Sequence, residues 1–141
     1  MRAPLALCLA AAALLTGCGS GEPSAESVVR AWSQALNDGD NDRAADLFAP
    51  DAQVVQSGHE LTLRTHADAV AWNAALPCSG RIVSIEARGN TATATFLLGD
   101  RRRDSACDGP GQEATAIFKV VNGKIVLWHQ TPARGPTGPT V

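Results

Sequence analysis

Along the chain, apolar side chains run unbroken from Leu5 to Leu15, then recur at helical spacing, and after residue 80 alternate with polar ones. Val28, Trp32, Ala35 and Leu36 stand at i, i+4, i+7 and i+8, one stripe of a helix. Ser24 is placed to cap that helix, Glu26 lies in its first turn, and Asn37-Asp38-Gly39 ends it. A second, short helix is predicted from Asp40, burying Ala44, Leu47 and Phe48 and stopping at Pro50. Val54-Val55 and residues 61–63 form short strands around Ser57-Gly58. Thr65 with Asp68 matches a capping box and opens a third helix carrying Val70, Trp72 and Leu76, halted at Pro77. Strands over 81–87 and 91–98 flank Gly89-Asn90, and strands over 113–121 and 124–131 flank Asn122-Gly123, a strong signal for a two-residue hairpin. Helices followed by antiparallel strands predict an α+β fold, with three N-terminal helices packed on a strongly curved, mainly antiparallel sheet.

The first apolar run is of another kind. Eleven helical residues rise about 16 Å, too short for a hydrocarbon core of roughly 30 Å. A basic start at Arg2, a short apolar middle and small residues at the end are the marks of a signal peptide over residues 1–17. Leu15-Thr16-Gly17-Cys18 resembles the lipobox of bacterial lipoproteins, which implies a diacylglyceryl group on Cys18 and an anchor at the extracytoplasmic face of a cell membrane. Two acyl chains hold a protein stably where one would not. Residues 18–23, small and polar, are expected to be a flexible linker, residues 24–131 one domain, and residues 132–141, rich in Pro, Gly and Thr, a disordered tail.

Charge and cysteine count narrow the partners. The loss of Arg2 with the signal leaves eleven basic against fourteen acidic side chains, a net charge of −3 and no basic stripe for nucleic acid. The one basic run, Arg101-Arg102-Arg103, lies between Asp100 and Asp104 and is expected to be a solvated loop. Of four cysteines, Cys8 leaves with the signal and Cys18 takes the lipid. Cys78 and Cys107 remain, and an even pair outside the cytosol predicts a disulfide. The Gly89 turn pairs residues whose numbers sum to about 178, which sets Cys78 beside Asp100 at the end of the hairpin from which Cys107 departs. Closing a loop of about thirty residues contributes on the order of 3–4 kcal/mol. No metal site or cofactor motif is visible; His59 and His66 stand far from any Cys or acidic cluster.

Trp32 with Ala35-Leu36-Asn37, the segment Asp40 to Ala45, Leu47-Phe48-Ala49-Pro50-Asp51-Ala52, and Gly123-Lys124-Ile125 leading to Trp128-His129 together resemble the SnoaL-like branch of the nuclear transport factor 2-like superfamily. The resemblance spans about Glu26 to Gln130. It implies a cone whose curved sheet and helices enclose a pocket, often dimerising through the sheet. Ketosteroid isomerases, polyketide cyclases, epoxide hydrolases and scytalone dehydratase share this fold with non-catalytic binding domains, so fold alone does not give function. The isomerases use a tyrosine in their oxyanion site, and this chain has no tyrosine.

Pairing across Asn122-Gly123 without interruption sets Val120 opposite Ile125, Phe118 opposite Leu127 and Ala116 opposite His129, all facing the core. Lys119, Ile117, Trp128 and Gln130 then occupy the outer face. Trp32, Trp72, Phe118, Leu127 and His129 become the candidate pocket, with His129 either a general base or a structural histidine. Trp32 and Trp72 either line an apolar site or fill the core; Asp40 and Asp51 suit cap and loop positions as well as catalysis; Asn37 either reaches the pocket mouth or ends its helix. The leading expectation is a non-catalytic, lipid-anchored envelope domain that binds a small apolar ligand or a protein partner. The alternatives are a hydrolase, lyase or isomerase using His129 with Asp40 or Asp51, and an assembly module that forms a homodimer through its sheet around Trp128.

Overall fold

The computed structural model describes residues 21–101 and 106–132. The elements are α1 (Ala25–Asn37), α2 (Asn41–Ala45), β1 (Phe48–Gln56), β2 (His59–Leu63), α3 (His66–Ala75), β3 (Ser79–Arg88), β4 (Thr91–Gly99), β5 (Glu113–Val121) and β6 (Lys124–Thr131). The expected α+β class holds. Six strands form one curved, open sheet in the order β2-β1-β6-β5-β4-β3, antiparallel throughout except for the parallel pair β1–β6.

The helices begin where their sequences provide caps. Ser24 Oγ accepts from the Ser27 N–H at 3.1 Å, and Thr65 and Asp68 exchange both bonds of the capping box. The stripe Val28, Trp32, Ala35 and Leu36 is buried against the sheet together with Val29. Gly39 takes the positive φ of 70° that ends α1. The aromatic core is continuous: Trp32 lies 5.3 Å from Phe118 and 6.0 Å from Phe96 between ring centroids, and Trp72 packs edge to face on Trp128 at 5.0 Å.

Four expectations need correction. Phe48 does not extend α2; that helix closes at Ala45, and the chain turns to run parallel to β6, the Leu47 carbonyl accepting from the Ile125 N–H at 2.7 Å. Pro50 therefore lies within β1, at the irregularity between Phe48 and Gln53 where Asp51 has φ 60°, the kind of site where a strand accommodates proline. Arg101 is not solvated: it is 3% exposed and caps the C-terminal end of α3. Glu22 and Pro23 do not hang free either, since the Glu22 carboxylate accepts from the Gly123 N–H at 2.9 Å.

The fourth correction bears on the site. Val120 does pair with Ile125, but the register shifts by one between Lys119 and Val120, so Phe118 pairs with Trp128 and Ile117 with His129. A bulge at Val126 turns over every later side chain of β6. Trp128 enters the core at 5% exposure, whereas Leu127 and His129 pass to the outer face.

Candidate functional site

Sheet and α1 do not close completely on each other. Between them remains a cavity of about 240 Å3, walled by Trp32 and Leu36 from α1, Phe96 from β4, Ala116 from β5 and Trp128 from β6. The apolar part of the wall follows from ordinary packing patterns. Inward positions of β5 alternate from Ala114 through Ala116 to Phe118, and the two alanines leave space that the larger residue fills further along. Ala116 gives the room expected of it, but its neighbour across the hairpin is Gln130 and not His129.

Polar groups gather at the mouth. Gln56, at the end of β1, donates through Nε2 to Gln130 Oε1 at 2.9 Å, tying the β1–β2 turn to the end of β6. On the opposite side, the Gly80 carbonyl accepts from Ser33 Oγ at 3.1 Å and from Asn37 Nδ2 at 3.0 Å. Asn37 thus ends α1 by holding β3. Asp108 completes the rim from the loop that carries Cys107. One of its carboxylate oxygens lies 3.3 Å from Cys78 Sγ.

Trp32 and Trp128 differ in their indole nitrogens. Trp32 Nε1 donates to the buried Asn73 Oδ1 at 2.9 Å, and Asn73 donates to the Ala69 carbonyl at 2.8 Å. Trp128 Nε1 is buried and finds no acceptor among the described residues. An unmade hydrogen bond of this kind costs about 1–3 kcal/mol.

Of the five residues expected to form the pocket, Trp32 alone lines this cavity. Phe118 is fully buried beneath the wall, and Trp72 lies behind Trp128, packed on Phe48 at 5.5 Å. Leu127 and His129 stand on the far side of the sheet. Asp40 caps α2, accepting from the Arg43 N–H, and Asp51 is exposed on β1; neither borders the cavity. Sequence reasoning missed Trp128, Gln56, Gln130 and Asp108. The run Ile125-Val126-Leu127-Trp128 was the available signal, because four apolar residues in a row leave the alternation free to slip.

Cys78 and Cys107 are joined in the structure with Cα atoms 4.6 Å apart, the neighbourhood that the hairpin register predicted. With Asp108 they make a compact group of metal-ligand types, but the two sulfurs bind each other. His66 pairs with Asp46 at 2.9 Å, and His59 is exposed at the start of β2. Cys18 and the expected signal peptide lie outside the described residues, as do Arg102, Arg103 and the tail from residue 133.

The SnoaL-like domain profile matches residues 29–128. No curated protein matches the chain. Among solved structures, it resembles a candidate polyketide cyclase from Sinorhizobium meliloti, with 19% identity and a TM-score of 0.59 over 74% of this chain and 93% of that one. An NTF2-like protein of unknown function from Cytophaga hutchinsonii superposes with a TM-score of 0.64 at 11% identity, over 79% and 92% of the two chains. A candidate ketosteroid isomerase from Kribbella flavida gives 0.60 at 19% identity, over 82% and 83%. At such identities the likeness speaks for the fold.

Proposed function

From the premise that this chain belongs to the SnoaL-like domain family, we propose that it is a lipid-anchored envelope protein whose cavity holds a small, largely apolar ligand without transforming it. The observation that carries this reading is the wall itself. Trp32, Leu36, Phe96 and Trp128 surround the space, and among the described residues lining it the one ionisable side chain is Asp108, which is exposed. Proton transfer within the cavity would need an acid and a base in hydrogen-bond reach of the reacting atoms. The wall offers no second group to partner Asp108, and the proposed His129 chemistry loses its geometry with the bulge in β6. A pocket of aromatic surfaces with few polar groups suits retention and orientation.

Cavity filling tests this directly. A neutral aromatic probe such as 2-naphthol, titrated by NMR, is expected to shift resonances around Trp32 and Trp128. Ala116→Leu, which places a larger side chain in the wall, is expected to weaken binding at least tenfold while the spectrum stays folded. Equal binding by Ala116→Leu and by the unaltered chain would reject the cavity as the binding site, and conversion of the bound molecule would reject the non-catalytic reading.

The outer face of the sheet supports a second, compatible role. Ile117, Leu127 and His129 share that face in part-exposed positions, a surface suited to a second copy or another protein partner. Sedimentation of the mature chain, with and without Ile117→Glu, distinguishes a dimer from a monomer.

A further inference from the structure

We infer that the ligand of this cavity carries a positive charge on its apolar body, an alkylammonium group held at the mouth by Asp108. The inference rests on the cavity reading above and narrows it to a chemical class. Asp108 is the only charged side chain among the described residues of the lining, so the wall presents a negative charge and no cation to balance it. None of the ion pairs among the described residues, Arg30–Glu26, Arg43–Asp38 and His66–Asp46, involves Asp108. Its closest polar contact is Cys78 Sγ at 3.3 Å, and a bridged sulfur carries no proton to donate. Among the described residues the carboxylate is therefore held at the rim without an ion-pair partner.

The other lining groups suit the same ligand. Trp32, Phe96 and Trp128 bring three aromatic rings to the wall, and aromatic rings attract cations as well as apolar surface. An anionic ligand would meet only Asp108 as a charge and gain nothing from the rings. The uncharged lining groups, Ser33, Ser79, Gln56 and Gln130 among them, place oxygen acceptors around the space without adding a competing positive charge.

Two isosteric probes separate charge from shape. Choline and 3,3-dimethylbutan-1-ol share size and a hydroxyl acceptor and differ in the ammonium charge. Titrated into the mature protein at low ionic strength and followed by NMR, choline is expected to bind at least threefold more tightly than the alcohol. In high salt the difference should shrink, because Asp108 is exposed and screened. Asp108→Asn is expected to remove the preference by weakening the binding of choline. Equal binding of the two probes, or tighter binding of the alcohol, overturns the charge inference and leaves the cavity reading standing. A choline preference that survives Asp108→Asn overturns the role given to that carboxylate. If neither probe binds while 2-naphthol does, the charge inference falls and the cavity reading stands.

Discussion

At Gly80 an added Cβ would lie 3.0 Å from the Leu97 carbonyl oxygen and 3.1 Å from Phe96 Cβ, both on the neighbouring strand. The same residue's carbonyl holds Ser33 and Asn37 of α1. Gly80→Ala is therefore expected to lower stability by about 1–3 kcal/mol, since backbone has to move to admit one methyl group. A thermal melt that shifts by less than a degree would show that β3 and α1 have more freedom than this packing allows. Arg101 is the second such residue. Its Nη1 donates to the carbonyls of Asn73 at 2.7 Å and Leu76 at 2.9 Å, and its Nη2 reaches Asn41 Oδ1. Arg101→Ala leaves those acceptors unserved at the negative end of α3, and an expected loss of about 2–3 kcal/mol follows from hydrogen bonds to a charged donor. Retention of wild-type stability in denaturant would refute the capping role. Neither residue announces itself in the sequence: one glycine before a strand resembles any turn residue, and an arginine between aspartate and two arginines resembles a solvated loop.

The elements were legible where local chemistry decides them. Ser24, the Thr65–Asp68 box and Asn122-Gly123, with φ of 51° and 69°, each specify their own backbone, and all three stand where the sequence puts them. What stayed hidden was set by partners far along the chain. β1 begins at Phe48 because β6 receives it in parallel, and a pairing between residues about eighty apart leaves no local mark. The bulge at Val126 is of the same kind: an apolar run on β6 satisfies either register, and the large Trp128 ring, packed between Trp32 and Trp72, decides it. The site turns on that one residue, since an unbroken register puts His129 inward and Trp128 outward. The bridge at the β3–β4 end survived because its register holds from Gly80–Leu98 to Ile82–Phe96 before any irregularity begins. Thiol titration of the unfolded, unreduced mature chain is expected to find no free cysteine at positions 78 and 107; two reactive thiols would contradict the joined pair.

At the scale of the whole molecule, Glu22 and the cavity lie at opposite ends of the β5–β6 hairpin. Glu22 docks on the Asn122-Gly123 turn, whereas Ala114, Gln130 and Ser57 border the cavity at the other end, about 26 Å away along β5. Four residues from Cys18 to Glu22 reach at most about 14 Å. On the proposed Cys18 anchor, the hairpin turn is held close to the lipid headgroups and the cavity opens away from them, so the ligand would enter from the aqueous side. A fluorophore placed by Val121→Cys should then be quenched by headgroup spin labels, and one placed by Ser57→Cys should not. The reverse pattern would place the mouth against the membrane.

On the proposed function, this cavity is occupied in the cell by an unreacted small molecule. Native mass spectrometry of the full protein, gently extracted from its own envelope, measures that occupancy and the lipid on Cys18 in one spectrum. The expected spectrum shows a chain shortened by residues 1–17, heavier by its acyl groups, with a second population carrying one small, largely apolar molecule that leaves intact on collisional activation and is absent from Ala116→Leu. A protein that is always empty, or one whose bound molecule is converted while it is held, would contradict it.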